Sequence, residues 1–254
     1  MTFLQDLTLT TTVPIVRLDS VDSTNAEALR RARAGERGPL WVVATAQSAG
    51  RGRRGRAWVS PPGNLHATLM LADPASSAAA PQLGFVAGLA LHDAAVAAAP
   101  ALAARLALKW PNDLMCGQRK IAGILIEGEG NPVTVAVGIG VNCRHHPDAT
   151  EFPATDFVAE GADVGAAALI DHLAAAMQAR LAQWNRGAGF AGIRTAWLAR
   201  SHGLGHPIRV RLPEREMTGG FETIDDTGRL MLRVGNGGLE AIAAGEVFSL
   251  DRNA

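Results

Sequence analysis

Four arginines and three glycines alternate through residues 49–58, AGRGRRGRAW: Arg51, Arg53, Arg54 and Arg56 among Gly50, Gly52 and Gly55. Glycine frees a backbone to wrap an anion with its N–H groups. Arginine presents a planar fork matched to phosphate or carboxylate. No G-K-[ST] follows, so the stretch is not a Walker loop. A solvated basic loop and an RGG-like contact to RNA are the plain alternatives. Lys+Arg and Asp+Glu both number 24, so the formal net charge is +0. A general nucleic-acid binder carries a broad basic excess. The arginines therefore read as a local device for a local anion.

Three further stretches place polar groups at strand ends. KWPNDLM (109–115) sets Lys109, Asn112 and Asp113 around Pro111. A carboxylate there suits Mg²⁺ or an amine, and an asparagine suits phosphate; an ordinary strand-end turn is the rival. RKIAGILIE (119–127) opens a strand with Lys120 and interrupts it with Gly123. Glycine inside a strand marks close approach by a ligand or a second backbone, although a lysine at a strand edge is commonly just solvated. GIGVN (138–142) alternates Gly138 and Gly140 on one strand face and ends at Asn142. It lacks GxGxxG, which argues against Rossmann binding.

The elements that must hold these groups follow from periodicity. Short β-branched or alternating runs predict strands at 13–18, 40–46, 64–71, 106–110, 120–127 and 133–141. In NLHATLML, Leu65, Ala67, Leu69 and Leu71 share one side, which predicts a half-buried strand. Helical spacing predicts helices from Thr24 to about Ala34, over 81–99, over 167–184 and over 190–200. Thr24 and Glu27 fit a capping box at the start of the first. Trp184 and Trp197 read as packing residues on helices. From Gly203 onward the pattern changes to short strands and tight turns, with DDTG and the GNGG stretch as turns. The expected division is an α+β domain over 1–202, with a mixed sheet and packed helices, and a small all-β barrel over 203–254.

With 254 residues, the chain is long enough for a substantial core. Hydrophobic residues at 48% and charged residues at 19% place it among globular chains rather than disordered ones. Cys116 and Cys143 form neither a CxxC pair nor a zinc spacing, which fits a reduced, cytoplasmic setting. His145-His146 lack a carboxylate at ligand spacing. The first 14 residues carry no basic n-region, and the alanine-rich runs are interrupted, so neither a signal peptide nor a membrane span is expected.

Taken in order, DSTN (22–25), AQSAGRGRRGRAWVSPPGNL (46–65), KWPNDL (109–114), KIAGILIE (120–127) and GIGVN (138–142) resemble the catalytic domain of the biotin–protein ligases. The C-terminal segment resembles the SH3-like barrel of that family. The resemblance implies a class II synthetase-like biotin/lipoate ligase fold. It implies an enzyme that joins biotin and ATP into biotinyl-5′-AMP, then passes biotin to one lysine of a biotin carboxyl carrier protein. ATP and Mg²⁺ are the implied cofactors. By position, Ser23, Thr24, Asn25 and Gln47 would hold the biotin ring. Gly50, Arg51 and Arg53 match the biotin loop, and Gly123 and Gly138 would border biotin. Arg56, Trp58 and Asn142 fall on the nucleotide side, and Asn112 and Asp113 on the polyphosphate, Mg²⁺ and acceptor-lysine side, with Asp113 a catalytic residue and the metal ligand. Lys120 would touch both the biotin carboxylate and the α-phosphate, whereas Lys109 need not reach those atoms. Only 19 residues precede SVDSTN, so a monofunctional ligase without a DNA-reading helix is expected, with no nucleic-acid or membrane partner and a possible homodimer. A bulkier aromatic commonly stands near His66 in the family. The alternatives are a nucleic-acid module using the Arg/Gly loop and a lipoate or octanoyl transferase of the same fold.

Overall fold

The computed structural model describes residues 13–148, 150–235 and 237–250. The stretch weighed for a signal peptide thus lies largely outside the described residues. Seven strands form the main sheet in the order β1-β2-β3-β7-β6-β5-β4. They are β1 (Ile15–Val21), β2 (Leu40–Gln47), β3 (Leu65–Ala72), β4 (Leu106–Lys109), β5 (Asp113–Cys116), β6 (Arg119–Glu129) and β7 (Thr134–Val141). Only β1 and β2 run parallel; every other neighbouring pair is antiparallel. The parallel pair needs a crossover, and α1 (Thr24–Arg33) supplies it. The sheet is mixed, as expected.

Helices cover both faces. On one side lie α2 (Leu83–Ala98), α3 (Ala166–Trp184) and α4 (Phe190–Leu198), packed on the large core. On the other, α1 closes a small cluster of Ala28, Leu40, Val42, Met70 and Ala136. This second cover corrects the reading of 64–71 as half-buried. Leu65, Ala67, Leu69 and Leu71 do face the large core, but His66, Thr68 and Met70 on the opposite face are buried too. Trp184 and Trp197 are packing residues, 0% and 2% exposed.

Two local expectations shift. The helix-capping side chain is Ser23, not Thr24: Ser23 Oγ accepts from Ala26 N–H at 3.5 Å. Thr24 is inside the helix, and Glu27 pairs with Arg30 and Arg31 instead of reaching back. Asp113, read as a strand-end turn residue, begins β5. That strand is only four residues long, too short for periodicity to reveal.

The second sheet is antiparallel, in the order β11-β10-β9-β8-β12. Its strands are β8 (Pro207–Arg211), β9 (Glu216–Ile224), β10 (Leu230–Arg233), β11 (Leu239–Ile242) and β12 (Glu246–Ser249). Its core is continuous with that of the first domain. The β9–β10 turn docks on the main domain: Trp110 Nε1 donates to Gly228 O at 3.2 Å. Gly228 has φ +91, and a Cβ there would lie 2.7 Å from the Phe85 ring of α2. Gly228→Val is therefore expected to cost about 2–5 kcal/mol from backbone strain and overpacking together. Thermal melting reads this directly; an unchanged Tm would mean that the turn does not dock.

Candidate active site

A cavity of about 400 Å³ opens on the α1 side of the main sheet and is bounded at one end by the second domain. Its floor is made where glycines leave the strands bare. Gly123 of β6 pairs with Gly140 of β7, and the Trp58 indole lies over both. A Cβ at Gly140 would stand 2.5 Å from that ring. At Gly138, a Cβ would meet Asn25 Oδ1 at 2.2 Å. Glycine is required at both places by close approach, not by backbone conformation.

One end of the cavity is a neutral polar array. Thr24 donates to Gln47 Oε1 twice, from its backbone N at 2.8 Å and from Oγ1 at 3.1 Å. Thr68 Oγ1 lies 2.8 Å from Thr24 Oγ1 and 2.7 Å from Asn25 Oδ1. Asn25 Nδ2 donates to Glu127 Oε2 at 2.8 Å. Ser23, Thr24 and Asn25 arrive on the first turn of α1, Gln47 at the end of β2 and Thr68 from β3. The array can therefore read a neutral ligand with both donors and acceptors. Nearby, His66 places Nε2 3.2 Å from Pro61 O, so that nitrogen carries the proton. Its Nδ1 is buried without a partner, as is Trp58 Nε1. Burial pulls the His66 imidazole below its ordinary pKa.

The other end is ionic. Lys120 Nζ sits 2.6 Å from Asp113 Oδ1 and 5.4 Å from the Trp58 ring centroid. Arg53 reaches Asn112 Oδ1 at 3.4 Å and Gly245 O at 3.5 Å. Burial pulls the Arg53 guanidinium below its ordinary pKa, and Asp113 opposes that shift. The remaining loop arginines have carboxylate partners: Arg51 with Glu127 at 3.2 Å, Arg54 with Glu246 at 3.7 Å, and Arg56 with Glu246. The loop closes on itself through a bridge between Arg51 and Ala57. Its repulsive charges are thus offset by the protein, at one corner by the second domain.

All but one of the residues to which the resemblance gave a site role line this cavity: Ser23, Thr24, Asn25, Gln47, Arg51, Arg53, Arg56, Trp58, Asn112, Asp113, Lys120, Gly123, Gly138 and Asn142. Gly50 is the exception. It sits at the loop base, where a Cβ would be 2.6 Å from both Ser60 Oγ and Trp58 O. Two amides are already engaged: Asn112 Nδ2 donates to Ile124 O at 2.6 Å and Asn142 Nδ2 to Thr155 O at 3.0 Å. Asp113, the expected Mg²⁺ ligand, pairs through Oδ1 with Lys120.

Sequence reasoning missed several walls. Lys109, expected to lie apart from the reacting atoms, lines the same cavity and is only 7% exposed. Its register partner is Asp113, which explains the placement. Phe152 and the β12 residues Glu246 and Val247, which line the cavity, and Thr68, which backs Thr24 and Asn25, carry no local signal at all. They reach the site by strand pairing and domain docking.

The comparisons with known proteins agree with this geometry. Residues 17–143 match the profile of the biotin/lipoate A/B protein ligase family, and 203–249 match that of the biotin protein ligase C terminal domain. The chain is 48% identical to a biotin–[acetyl-CoA-carboxylase] ligase of Paracoccus denitrificans over 240 residues, covering 91% of this chain and 98% of that one. It is 34% identical to a protein of the same name from Mycobacterium tuberculosis, over 90% of this chain and 86% of that one. A biotin protein ligase from Aquifex aeolicus, solved in complex with biotin and ATP, superposes with a TM-score of 0.78 at 25% identity. That match covers 92% of this chain and 97% of the other.

Proposed function

Because this chain belongs to the biotin/lipoate A/B protein ligase family, we propose that its cavity is the site of ATP-dependent biotinylation of a carrier protein. The enzyme is a biotin–protein ligase: it activates biotin as biotinyl-5′-AMP and transfers it to a lysine of a biotin carboxyl carrier protein. The observation that carries the reading is the polarity of the cavity, with a neutral hydrogen-bonding end on α1 and a cationic end at Lys120 and Arg53, joined by a glycine floor. Biotin has that same polarity, with a neutral ureido ring at one end and a carboxylate at the other.

The two ends do different work. Thr24, Asn25 and Gln47, with Thr68 behind them, hold the ureido group. Lys120 and Arg53 take the carboxylate. A carboxylate attacking an α-phosphate brings two anions together, an encounter that is repulsive unless cations stand beside it. The Lys120 ammonium, now paired with Asp113, exchanges that partner for the ligand anions. Asp113 is then released beside the point where the acceptor lysine must lose a proton before it attacks the acyl carbon. Arg56, Trp58, Asn112 and Asn142 take the nucleotide. Mg²⁺ would enter with ATP, with Asp113 the carboxylate to hold it once Lys120 has turned to the ligand anions.

The nucleic-acid reading of the arginine loop is not favoured. Three of its arginines already have carboxylate partners and the fourth is half-buried, so the loop does not present an open basic surface. Among the described residues, no helix is long and apolar enough to cross a membrane. The direct test is incubation with ATP, Mg²⁺, biotin and an apo carrier domain, read by intact mass. Absence of the biotinyl mass increment on the carrier would defeat the ligase reading.

Arg53 gives a second expected result. Arg53→Gly keeps Lys120 and should still make adenylate, but the anhydride loses the guanidinium that covers it. Leaked biotinyl-5′-AMP acylates any exposed lysine. Biotin incorporation into an unrelated protein, measured beside the carrier, should rise well above wild type. A variant as selective as wild type, or unable to make adenylate, would place Arg53 elsewhere.

A further inference from the structure

The neutral end of the cavity is tied to a carboxylate that does not itself line it. Glu127 of β6 accepts from Asn25 Nδ2 at 2.8 Å through Oε2, and its Oε1 accepts from Arg51 at 3.2 Å. Hydrogen bonds then link Asn25 to Thr68 and Thr68 to Thr24, which lines the cavity. Thr24, Asn25 and Thr68 are all buried, so their protons are placed by one another rather than by bulk water. Counting those protons fixes the direction of every bond. A carboxylate and a backbone carbonyl only accept. Asn25 meets one of each on the same side, Glu127 Oε2 and, at 3.3 Å, Leu125 O, so that side of its amide is the NH2 group. Its Oδ1 therefore lies 2.7 Å from Thr68 Oγ1, and the single Thr68 proton is spent there. Thr68 has only lone pairs left for Thr24 Oγ1, 2.8 Å away.

The Thr24 proton in turn has two acceptors inside the protein, Thr68 Oγ1 and, at 3.1 Å, Gln47 Oε1. Gln47 Oε1 is itself fixed as an acceptor by the Thr24 backbone N–H at 2.8 Å. What the Thr24 hydroxyl turns to the cavity is therefore a lone pair. A reversed Asn25 amide would undo this: Asn25 would donate to Thr68, Thr68 to Thr24, and the Thr24 proton would be free for the cavity. The Glu127 carboxylate opposes the reversal, which would set Asn25 Oδ1 against an anion. Resting on the ligase reading above, we propose that Glu127 is a positioning residue for ligand selection. Through Asn25 and Thr68 it fixes the Thr24 hydroxyl as an acceptor, so the site favours an acid whose ring carries an N–H over one whose ring has none. The ureido group of biotin supplies that N–H. A negative charge at the far end of the chain also polarises each bond toward it, which makes the Thr24 oxygen a stronger acceptor. Arg51, on the loop, holds the other oxygen of the carboxylate and keeps it in place.

The test uses the full chain as wild type, Glu127→Gln, Thr68→Val and the double variant, with biotin and lipoate as probes. Lipoate carries the same carboxylate on a chain of the same length, but its dithiolane ring has no N–H. Dissociation constants are measured without nucleotide. In Glu127→Gln the amide oxygen stays with Arg51 and the NH2 group falls opposite Asn25, which removes the force that orients the chain. Biotin is expected to bind about 10-fold more weakly, the scale of one lost charge-assisted hydrogen bond, while lipoate binding changes by less than about twofold. Thr68→Val cuts the same chain, so the double variant should bind biotin no more weakly than the weaker-binding single variant. Losses that multiply in the double variant would show that Glu127 acts by another route, such as the Arg51 loop, and would overturn the inference. Equal losses for biotin and lipoate would overturn it too, as would undiminished biotin binding. Where lipoate binds wild type too weakly to measure, the double-variant comparison decides. A wild type that binds biotin but transfers none to the carrier would defeat the ligase reading itself, a result separate from any difference among the variants.

Discussion

Lys120→Ala is expected to fold and to lose adenylate synthesis by about 10²–10³, the usual effect of removing one group that meets charge developing in the transition state. The ammonium acts between two anions. In the ground state it offsets their repulsion; at the pentavalent phosphorus the charge is larger and the contact worth more. Transfer from supplied biotinyl-5′-AMP joins an amine to an acyl carbon, with no second anion arriving, so it should suffer less. The ion pair with Asp113 adds a refinement. Alanine leaves that carboxylate, with 15% of its side chain exposed, without its counter-ion. Part of any loss in the second step would come from Asp113, and Lys120→Ala combined with Asp113→Asn separates the two. The measurement is pyrophosphate release in the first step beside transfer in the second. Equal impairment of both steps, or of neither, would remove Lys120 from its bridging position.

Gly138→Ala is expected to raise the biotin KM by about 10- to 100-fold, the equivalent of losing one or two buried hydrogen bonds. The added methyl would sit 2.2 Å from Asn25 Oδ1 and 2.9 Å from Asn25 Nδ2, so Asn25 must move. Asn25 cannot move alone. It is tied to Thr68 at 2.7 Å, and Thr68 is tied to Thr24. Displacing it disturbs the array that reads the neutral end of biotin, while the cationic end is untouched. The KM for ATP and the rate of transfer from preformed adenylate should therefore change little. Isothermal titration with biotin checks the prediction; unaltered affinity would show that Asn25 yields into open space and that the array does not hold the ring. Gly140→Ala is the companion, since a methyl there displaces the Trp58 indole and should act on the nucleotide side instead.

Much of the site was legible because its chemistry is written in contiguous motifs. The arginine loop, Asp113, Lys120 and the two glycines of GIGVN each stand in a short stretch whose composition has a direct physical meaning. Glycine inside a strand announces close approach, and arginine among glycines announces an anion. The helical spacing of α3 likewise marked its element, because burial of one face imposes a period on the chain; β3 and α2 showed periodic residue types although they are buried on more than one face. The change to short strands after Gly203 marked the second sheet for the same reason.

Tertiary structure alone decided which of these groups meet, and with what charge. Lys109 and Asp113 are four residues apart, yet only the antiparallel β4–β5 register puts them opposite each other in one cavity. Thr68 joins Thr24 and Asn25 from 44 and 43 residues away, and Glu246 joins Arg56 from 190. No local pattern encodes such pairs, because hydrogen-bonded strand neighbours and docked domains are chosen by the packing of the whole core. The same cause gives Asp113, whose residue type suited a metal, the Lys120 ammonium as its partner. Composition counts the charges of a chain; only the folded sheet determines which of them are left without a partner for a ligand to find.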